Sequence, residues 1–435
     1  MGNKLKLGVA REIITPKIGT MLYGYPSKPV ADGVHDDLLV TAYAFSYNDI
    51  KVILVSATVC NFRNDIANAL REGLAKKHGV PFENIILTAT HTHSGPALSG
   101  MFGLWGGFNQ EYHDEIFRPA LFSAVEKAII DMEAVTMATA SGNSDIGVNR
   151  RVLTVENTID FGQCKWGPYN PEMVILSFKG EDGKIKGNLI CYGAHGTAAG
   201  ATTKITRDWS GYMTDALEEK TGGLTSFLLG PEGDVAPRVE NEIRGVDRIG
   251  EMEKLGKKAA ADALAIFDKI KDEDYAGTDI AIRSDVLHLP VKPRPSLEEA
   301  RKAYDNIPEN PVKTIHFLQQ DYYTNVMKSY EEGYEDVECE EVPQIIFRIG
   351  NIVFATFGYE IFSEIGMRID EAVEEYKVIS VVVANGQGGY FPTQSQLCLG
   401  GYEVNMFKTQ SVQPYVDDAD FHMMKETVRN VNELK

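Results

Sequence analysis

Five apolar, strand-like segments of this chain each end in a short turn that carries at least one chemically versatile side chain. In a sheet covered by helices, binding and catalytic sites form in the loops at the carboxyl ends of the strands. One such ending would be ordinary, but five predict a fold in which distant strand ends meet at one site. The segments and the side chains that follow them are residues 84–90 with His91, 187–192 with His195, 226–229 with Asp234, 352–357 with Glu360 and 378–384 with Tyr390.

The first ending carries two histidines, His91 and His93, and then Ser-Gly-Pro, through which a strand cannot continue. If extended geometry persists through Thr92, both imidazoles point to the same side and their Cα atoms lie roughly 6–7 Å apart. That spacing suits a metal site or an acid–base pair. Two ordinary histidines beside a turn are the alternative, because the motif is short and common.

The remaining segments predict an α/β fold with mixed β-sheets covered by helices, since hairpin-like neighbours alternate with crossover helices. Residues 290–333 are charged and helical, and are expected to form a helical insertion, a lid or a peripheral helical pair. Ser296, followed by two glutamates, indicates a helix start there. The other strand-like segments are 4–10, 39–47, 51–58, 173–178, 278–289 and 344–348, and the helix-like segments are 65–77, 112–132, 213–220, 247–269, 296–306, 312–330, 363–376 and 418–434.

The composition excludes several classes of function. The 435 residues include 62 acidic and 43 basic side chains, which give a net charge of −19. This disfavours nucleic acid, for which a basic surface is expected, and anionic membrane surfaces. No segment approaches the ~18 apolar residues of a membrane span, so no stable membrane insertion is expected. Five scattered cysteines without a CxxC motif, and an N-terminus without a signal-peptide apolar stretch, predict a cytoplasmic protein with reduced thiols.

The order and spacing of several motifs carry a family resemblance. The most specific motif is Thr-His-Thr-His-Ser-Gly-Pro at residues 90–96, and the chain opens with Gly-Val-Ala-Arg-Glu-Ile-Ile-Thr-Pro at 8–16. With the segments listed below, these motifs resemble the catalytic domain of the neutral/alkaline non-lysosomal ceramidase family. The other matching segments are 35–38, 149–151, 206–211, 233–237, 358–360, 389–393 and 401–403.

The resemblance implies one zinc ion held by two histidines, a glutamate and a tyrosine, which are His91, His195, Glu360 and Tyr390 in this sequence. Zinc accepts imidazole nitrogen and carboxylate oxygen, and catalytic zinc sites keep a position for water. The Tyr390 phenol, with a pKa near 10, becomes a ligand only beside the cation. It could instead donate a hydrogen bond to an oxyanion, and Tyr402 competes for its place. Taken singly, each residue also fits a structural role in the core or at a helix end.

The resemblance implies further roles around the metal. His93 is expected to contact the substrate carbonyl or to assist proton transfer. Arg150, with Arg151 as the second choice, is expected to bind a polar substrate group or the developing oxyanion; a structural ion pair is the alternative. Asp234 is expected to orient a ligand, and a tight turn is the alternative.

Two departures from the family pattern bear on the substrate. Ala236 replaces the family's serine in Gly-Asp-Val-Ser-Pro, and Gly196 replaces a proline after His195. The sequence therefore predicts a zinc-dependent hydrolase that cleaves the amide of a small-molecule or lipid-like acyl substrate. Lactone or glycosidic cleavage, a lyase reaction and a non-catalytic ligand-binding homologue are the alternatives. Residues 1–435 are expected to form one large catalytic domain without the family's C-terminal β-sandwich domain.

Overall fold

The computed structural model describes residues 4–99, 107–243, 245–309 and 313–434. Its strands are β1 (Lys6–Ile13), β2 (Gly33–Val34), β3 (Leu39–Tyr47), β4 (Ile50–Ala57), β5 (Ile85–Ala89), β6 (Glu133–Asn143), β7 (Gly147–Leu153), β8 (Ile159–Cys164), β9 (Glu172–Gly180), β10 (Ile185–Tyr192), β11 (Lys204–Ile205), β12 (Leu224–Leu229), β13 (Val235–Pro237), β14 (Ile280–Pro290), β15 (Cys339–Ile349), β16 (Ile352–Thr356), β17 (Glu360–Ile361), β18 (Lys377–Val381) and β19 (Tyr390–Phe391). Its α-helices are α1 (Asn64–His78), α2 (Gln110–Tyr112), α3 (Arg118–Ile130), α4 (Trp209–Thr221), α5 (Ile249–Phe267), α6 (Leu297–Asp305), α7 (Thr314–Glu331), α8 (Ser363–Ala372), α9 (Gln394–Leu397), α10 (Tyr402–Phe407) and α11 (Ala419–Asn432).

Two mixed sheets organise the described part of the chain. The larger has eight strands in the order β12-β10-β9-β6-β1-β3-β4-β5, and the smaller has four in the order β14-β15-β16-β18. Strands β1, β3 and β4 pair antiparallel, whereas β4 with β5, β10 with β12 and β16 with β18 pair parallel across helical connections. This confirms the predicted α/β fold of mixed sheets covered by helices.

The two sheets face each other through an aromatic core. The ring of Phe45 on β3 lies 5.6 Å from that of Phe178 on β9 and 5.4 Å from that of Phe347 on β15, centroid to centroid. Burying each such side chain stabilises the fold by about 1.5–3 kcal/mol. Helices cover the outer faces: α3 packs on β1 and β3, and Gln344 on β15 donates to Thr427 on α11 at 2.9 Å. The layers therefore run helix, sheet, sheet, helix.

The larger sheet curls so that strands near its two edges approach each other. Ser56 on β4 donates its hydroxyl to the carbonyl of Phe227 on β12 at 2.7 Å. The backbone N–H of Val382, just after β18 of the smaller sheet, donates to the carbonyl of Leu229 at the end of β12 at 3.0 Å. The carboxyl ends of strands from both sheets therefore lie side by side, as the strand-end pattern of the sequence predicts.

Predicted elements differ from observed ones mainly where the sequence lacks periodicity. Strands β6, β7 and β8 are absent from the predictions; β6 is rich in alanine, threonine, serine and glycine, and its pairing with β9 from Val135 to Asn143 fixes it as a strand. The helix start at Ser296 is confirmed, because its hydroxyl accepts from Glu299 N at 3.2 Å while the Glu299 carboxylate accepts from Ser296 N. The predicted helix 312–330 begins at a residue outside the described ones, and α7 begins at Thr314.

Helices α6 and α7 lie in the region predicted to be helical, and α7 reaches a buried cluster. Helices α6 and α7 pack on each other, and α7 places Leu318 in a buried cluster with Tyr390 and Met406.

Across the described residues, no helix combines the length and apolar character needed to cross a membrane.

Candidate metal centre

His91 and His93 meet through a backbone turn. Strand β5 ends at Ala89, and His91 adopts a left-handed backbone with φ of 61°, so the expectation of extended geometry through Thr92 is wrong. Such a conformation costs a non-glycine residue roughly 1–2 kcal/mol, and a hydrogen bond from His91 N to Val59 O at 3.0 Å helps to hold it. The turn still brings the two imidazoles together, with 3.3 Å between their Nε2 atoms.

His195 reaches the same point because two distant loops pair. Thr92 and Gly196 form a parallel bridge, and a β-carbon on Gly196 would lie 2.8 Å from the carbonyl oxygen of His91. The close approach of the loops therefore requires glycine at this position. The His195 Nδ1–H donates to the carbonyl of Val235 at 3.0 Å, which leaves the lone pair on Nε2.

Glu360 and Tyr390 are placed side by side by a short parallel pairing between β17 and β19. The Glu360 N–H donates to the carbonyl of Gly389 at 2.9 Å, and Gln387 Nε2 donates to Glu360 Oε1 at 2.6 Å. The second carboxylate oxygen, Oε2, is thereby directed at the histidines. The Tyr390 hydroxyl lies 3.3 Å from His195 Nε2.

Three hydrogen-bond acceptors converge at the centre of this site. Glu360 Oε2 lies 3.1 Å from His195 Nε2 and 3.5 Å from His91 Nε2. His91, like His195, points its Nδ1 at a backbone carbonyl, that of Cys60 at 2.8 Å. Burial, with the nearby Arg150 charge, lowers the pKa of His195 to about 4, so this ring carries no proton toward the carboxylate at neutral pH. Facing acceptors are unfavourable without a positive charge between them, and this donor set is one that zinc and related divalent cations prefer.

The electrostatics of His91 point to the same need for positive charge. Burial opposes protonation of this imidazole, yet the Cys60 sulfur and the Glu360 carboxylate together raise its pKa well above the ordinary range. The site therefore attracts one positive charge, which either a proton on His91 or a metal cation supplies.

A further carboxylate, absent from the sequence predictions, belongs to the same group. Glu232 lies in the loop after β12. It offers one carboxylate oxygen to a group of four possible ligand atoms that all lie within 4.8 Å of one another. The other three atoms come from His91, His195 and Glu360. Burial and then the Glu360 charge raise the pKa of Glu232 well above its usual range. Its place in the sequence could have indicated this role, because Glu232 lies in the same loop as Asp234. Only the aspartate belongs to the family motif, so the glutamate was not selected.

The structure distinguishes the two candidate arginines. Arg150 Nη1 donates to His195 Nε2 at 2.9 Å, and Arg150 Nε donates to Glu403 Oε1 at 2.8 Å. Arg151 turns away, donating to the other oxygen of Glu403 and to the carbonyl of Gly400. The third nitrogen of Arg150, Nη2, is buried and has no hydrogen-bond partner among the described residues. Arg150 therefore faces the site, and Glu403, which the sequence analysis missed, holds both guanidinium groups.

His93 and two tyrosines face a small cavity of about 50 Å³ beside the converging donors. His93 Nδ1 is buried and has no partner among the described residues; burial and the neighbouring imidazoles keep its pKa well below the usual range. Tyr402 lies behind Tyr390, with 5.5 Å between the ring centroids, so the Tyr390 hydroxyl is the one close to His195. A larger cavity of about 630 Å³ lies elsewhere, near Lys4, and its lining contains no histidine.

Asp234 forms its hydrogen bonds with neighbouring segments of the chain. Its carboxylate accepts from Ser363 N at 2.7 Å and from Asn149 Nδ2 at 3.0 Å, and among the described residues it contacts no imidazole. Its backbone carbonyl accepts from Arg150 N at 2.8 Å. Asp234 therefore fixes the loop and the strand that carry the site residues, and the neighbouring Val235 carbonyl orients His195.

Residues 5–249, more than half of the chain, match the sequence model of the neutral/alkaline non-lysosomal ceramidase N-terminal domain. The chain belongs to this family. The resemblance predicted from the motifs is thereby confirmed. Among curated relatives, neutral ceramidase A of Dictyostelium discoideum is 25% identical over 250 residues, which are 52% of this chain and 35% of that protein. The neutral ceramidase of Pseudomonas aeruginosa is 25% identical over 234 residues, 50% of this chain and 35% of that protein.

Solved structures of the family share the fold over the length of the chain. The crystal structure of the Pseudomonas aeruginosa neutral ceramidase superposes with a TM-score of 0.76 and 18% identity, covering 99% of this chain and 74% of that one. A ceramidase complexed with C2 superposes with a TM-score of 0.73 and 17% identity, covering 99% and 75%. In the sequence matches the chain spans about a third of the length of the curated relatives, as 35% coverage shows.

Proposed function

We propose that this protein is a zinc-dependent hydrolase that cleaves the amide bond of an N-acyl compound. The observation that carries the proposal is the convergence of His91 Nε2, His195 Nε2 and Glu360 Oε2, three acceptors that need a cation between them. Tyr390, with its hydroxyl 3.3 Å from His195 Nε2, would complete the site. Membership of the neutral/alkaline non-lysosomal ceramidase family supports the reaction class.

A bound zinc ion would supply Lewis-acid chemistry, lowering the pKa of water to about 7 and polarising a carbonyl. The protein side chains supply the proton transfers. His93 is neutral because its pKa is depressed. Its Nε2, 3.3 Å from His91 Nε2, accepts a proton from the attacking water and passes it to the leaving amine. Arg150 and Tyr390 donate hydrogen bonds to the oxygen on which negative charge develops.

Arg150 changes partners in this mechanism. Its bond from Nη1 to His195 Nε2 must be given up when that nitrogen binds a cation. The guanidinium stays anchored, because Nε still donates to Glu403. Its two Nη groups then become available to the substrate carbonyl, and Nη2 already lacks a partner among the described residues.

The size of the cavity supports a small acyl substrate over membrane ceramide. The described lining encloses about 50 Å³, whereas a ligand pocket for a drug-sized molecule occupies about 300–1,000 Å³. Ala236 also lacks the hydroxyl that the family's motif carries at this position. The residues that line the cavity are Tyr23, Gly24, Cys60, Asn61, His91, His93, Glu360, Gln387, Tyr390, Tyr402 and Met406.

Metal content and turnover of purified variants test the proposal. The wild-type protein is expected to hold about one zinc per chain, as a single catalytic site requires. His91→Ala and His195→Ala are each expected to lose metal and activity together, while His288→Ala, at a half-exposed histidine, keeps both. Stoichiometric metal in the His91→Ala/His195→Ala double variant would overturn the assignment.

A substrate panel tests the bond that is cleaved. Short N-acyl amines, ceramides of different chain lengths, lactones and glycosides are compared with and without a chelator. The proposal expects chelator-sensitive release of amine from the short N-acyl amines and slower turnover of long-chain ceramide. Turnover of lactones or glycosides alone would assign the scaffold to a different reaction.

A further inference from the structure

Glu232 differs from the other wholly buried carboxylates of the described chain. Asp208 accepts from three backbone N–H groups, Asp234 from Ser363 and Asn149, and Glu403 from two arginines. Both oxygens of Glu232 are buried, and neither has a hydrogen-bond partner among the described residues. Buried carboxylates are paired or coordinate metals, because an isolated charge out of water is costly.

The surroundings of Glu232 form a candidate cation site, and among the described residues no basic side chain pairs with this carboxylate. One donor atom each from Glu232, His91, His195 and Glu360 lie within 4.8 Å of one another, close enough to converge on one ion. Arg150 is the nearby basic side chain, and its Nε is committed to Glu403 while Nη1 donates to His195. Metal ligands bind in their deprotonated forms, so two neutral imidazoles and two carboxylates would balance the charge of a bound divalent cation.

We propose that Glu232 is a direct ligand of the metal, so that this protein holds its cation with two imidazoles and two carboxylates. This inference rests on the proposed function, since it adds a ligand to the same site. It goes beyond the four ligands that the family resemblance implies, because that set contains one carboxylate and a tyrosine.

The additional carboxylate changes the role of Tyr390. Carboxylate oxygen is a usual ligand of zinc and phenol oxygen is not, so Glu232 is the readier ligand of the two. Tyr390, whose hydroxyl lies 3.3 Å from His195 Nε2, is then not needed as a ligand and donates its hydrogen bond to the substrate oxygen. A donor set richer in oxygen also accommodates more than four ligands and shifts relative affinity from Zn²⁺ toward Mn²⁺.

Calorimetric titration of the chelator-stripped full chain with Zn²⁺, and separately with Mn²⁺, tests the ligand assignment. Glu232→Gln keeps the shape of the side chain and removes its charge. Because a direct ligand is lost, both affinities are expected to weaken by more than about 100-fold. Residues that only hydrogen-bond to a metal ligand typically change the affinity by about 10–100-fold. Asp420→Asn is the control, because Asp420 is also a buried carboxylate, accepts from Gln394 N and belongs to no candidate metal group of the described residues. Its affinities are expected to stay at the wild-type level.

Two further readouts do not depend on activity. The visible spectrum of the Co²⁺-loaded protein is expected to change between wild type and Glu232→Gln, because the coordination shell changes. The melting temperature of the metal-free variant is expected to be no lower than that of the metal-free wild type, since an unpaired buried carboxylate has been removed. Zn²⁺ is expected to raise the melting temperature of the wild type far more than that of the variant.

The outcomes separate this inference from the proposed function. If the wild type binds Zn²⁺ and hydrolyses N-acyl amines while Glu232→Gln keeps its affinity, only the ligand assignment is overturned. A 10–100-fold loss with an unchanged Co²⁺ spectrum would give Glu232 a positioning role and would also overturn it. If the wild type binds no divalent cation, both fail. Should the variant not fold, a crystal structure of the Zn²⁺-loaded wild type decides, with a Glu232 oxygen expected about 2.0–2.2 Å from the metal.

Discussion

Gly24 lies so close to the imidazole of His93 that a β-carbon on Gly24 would be 2.4 Å from Nδ1 and 2.6 Å from Cγ. The backbone of Gly24 is also left-handed, with φ of 110°. Gly19, on the same loop, has φ of 92° but nothing within 4 Å of the position of its β-carbon. Comparing alanine variants of the two glycines therefore separates the effect of backbone strain from the effect of contact with His93, the proposed acid–base residue.

Gly24→Ala is expected to lower kcat by at least ~10-fold, because a displaced His93 no longer transfers the proton. Proton transfer by a positioned side chain typically raises a reaction rate by about 10²–10⁴-fold. Both Gly24→Ala and Gly19→Ala are expected to carry a strain cost of roughly 1–2 kcal/mol in urea unfolding. Only Gly24→Ala is expected to lose turnover, and both should keep the wild-type metal content. Equal kcat values for the two variants would contradict a catalytic role for His93.

Glu403→Gln is expected to destabilise the fold by about 3–5 kcal/mol, because it leaves two buried guanidinium groups without their shared carboxylate. Glu403 accepts from Arg150 and Arg151, and all three side chains are buried. Glu181→Gln is the control: its ion pair with Lys4 is exposed on both sides, so no measurable change in the free energy of unfolding is expected. Urea unfolding of the metal-free proteins measures the free energy of unfolding of each variant. Equal free energies for the two variants would show that the buried ion pairs do not stabilise the fold.

Zinc affinity is expected to fall as the pH falls, because a proton on His91 competes with the cation. The pKa of His91 is raised above its ordinary value by Cys60 and Glu360, against the effect of burial. Competition should therefore extend upward into the neutral range, with about a tenfold loss of affinity per pH unit below that pKa. Calorimetry in buffers of different ionisation enthalpy should detect release of about one proton on binding. Affinity that is constant between about pH 6 and 8 would argue against a protonated His91 in the metal-free state.

Asp208 is expected to make the protein less stable as the pH rises from about 4 to 6. Burial raises the pKa of this carboxyl from 3.8 to about 6, against the effect of three backbone N–H donors. The folded state thus binds the proton more tightly than the unfolded state, so the contribution is full below about pH 4 and is lost as the pH rises through about 6. The two-unit shift corresponds to about 3 kcal/mol.

Urea unfolding at several pH values checks this sign. The free energy of unfolding of the wild type, minus that of Asp208→Asn, should fall by about 3 kcal/mol between about pH 4 and 7. Asp272→Asn is the control, because the exposed Asp272 has its pKa lowered by Lys179 and should show no such fall. A difference that rises with pH for Asp208→Asn would mean that the backbone donors outweigh burial.

Much of the fold could be predicted from the sequence because the apolar strands and amphipathic helices carry their own periodicity. Strand β3 matches residues 39–47, and the helix start at Ser296 has the hydrogen bonds that its capping pattern predicts. Strand β6 could not be predicted, since its small and polar residues gain their strand conformation from pairing with β9. The larger sheet's curl also depends on a long-range contact, the bond from Ser56 to Phe227.

The sequence by itself determined which kinds of side chain end the strands, and therefore the histidine, carboxylate and tyrosine chemistry that this protein can support. Only the tertiary structure decided which of them face one another. Arg150 rather than Arg151 points at His195, and the unpaired Glu232 joins the group. The physical reason is that a side chain beyond a strand end takes its direction from backbone pairing with distant segments. The bridge between Thr92 and Gly196 and the pairing of Glu360 with Tyr390 are two such contacts.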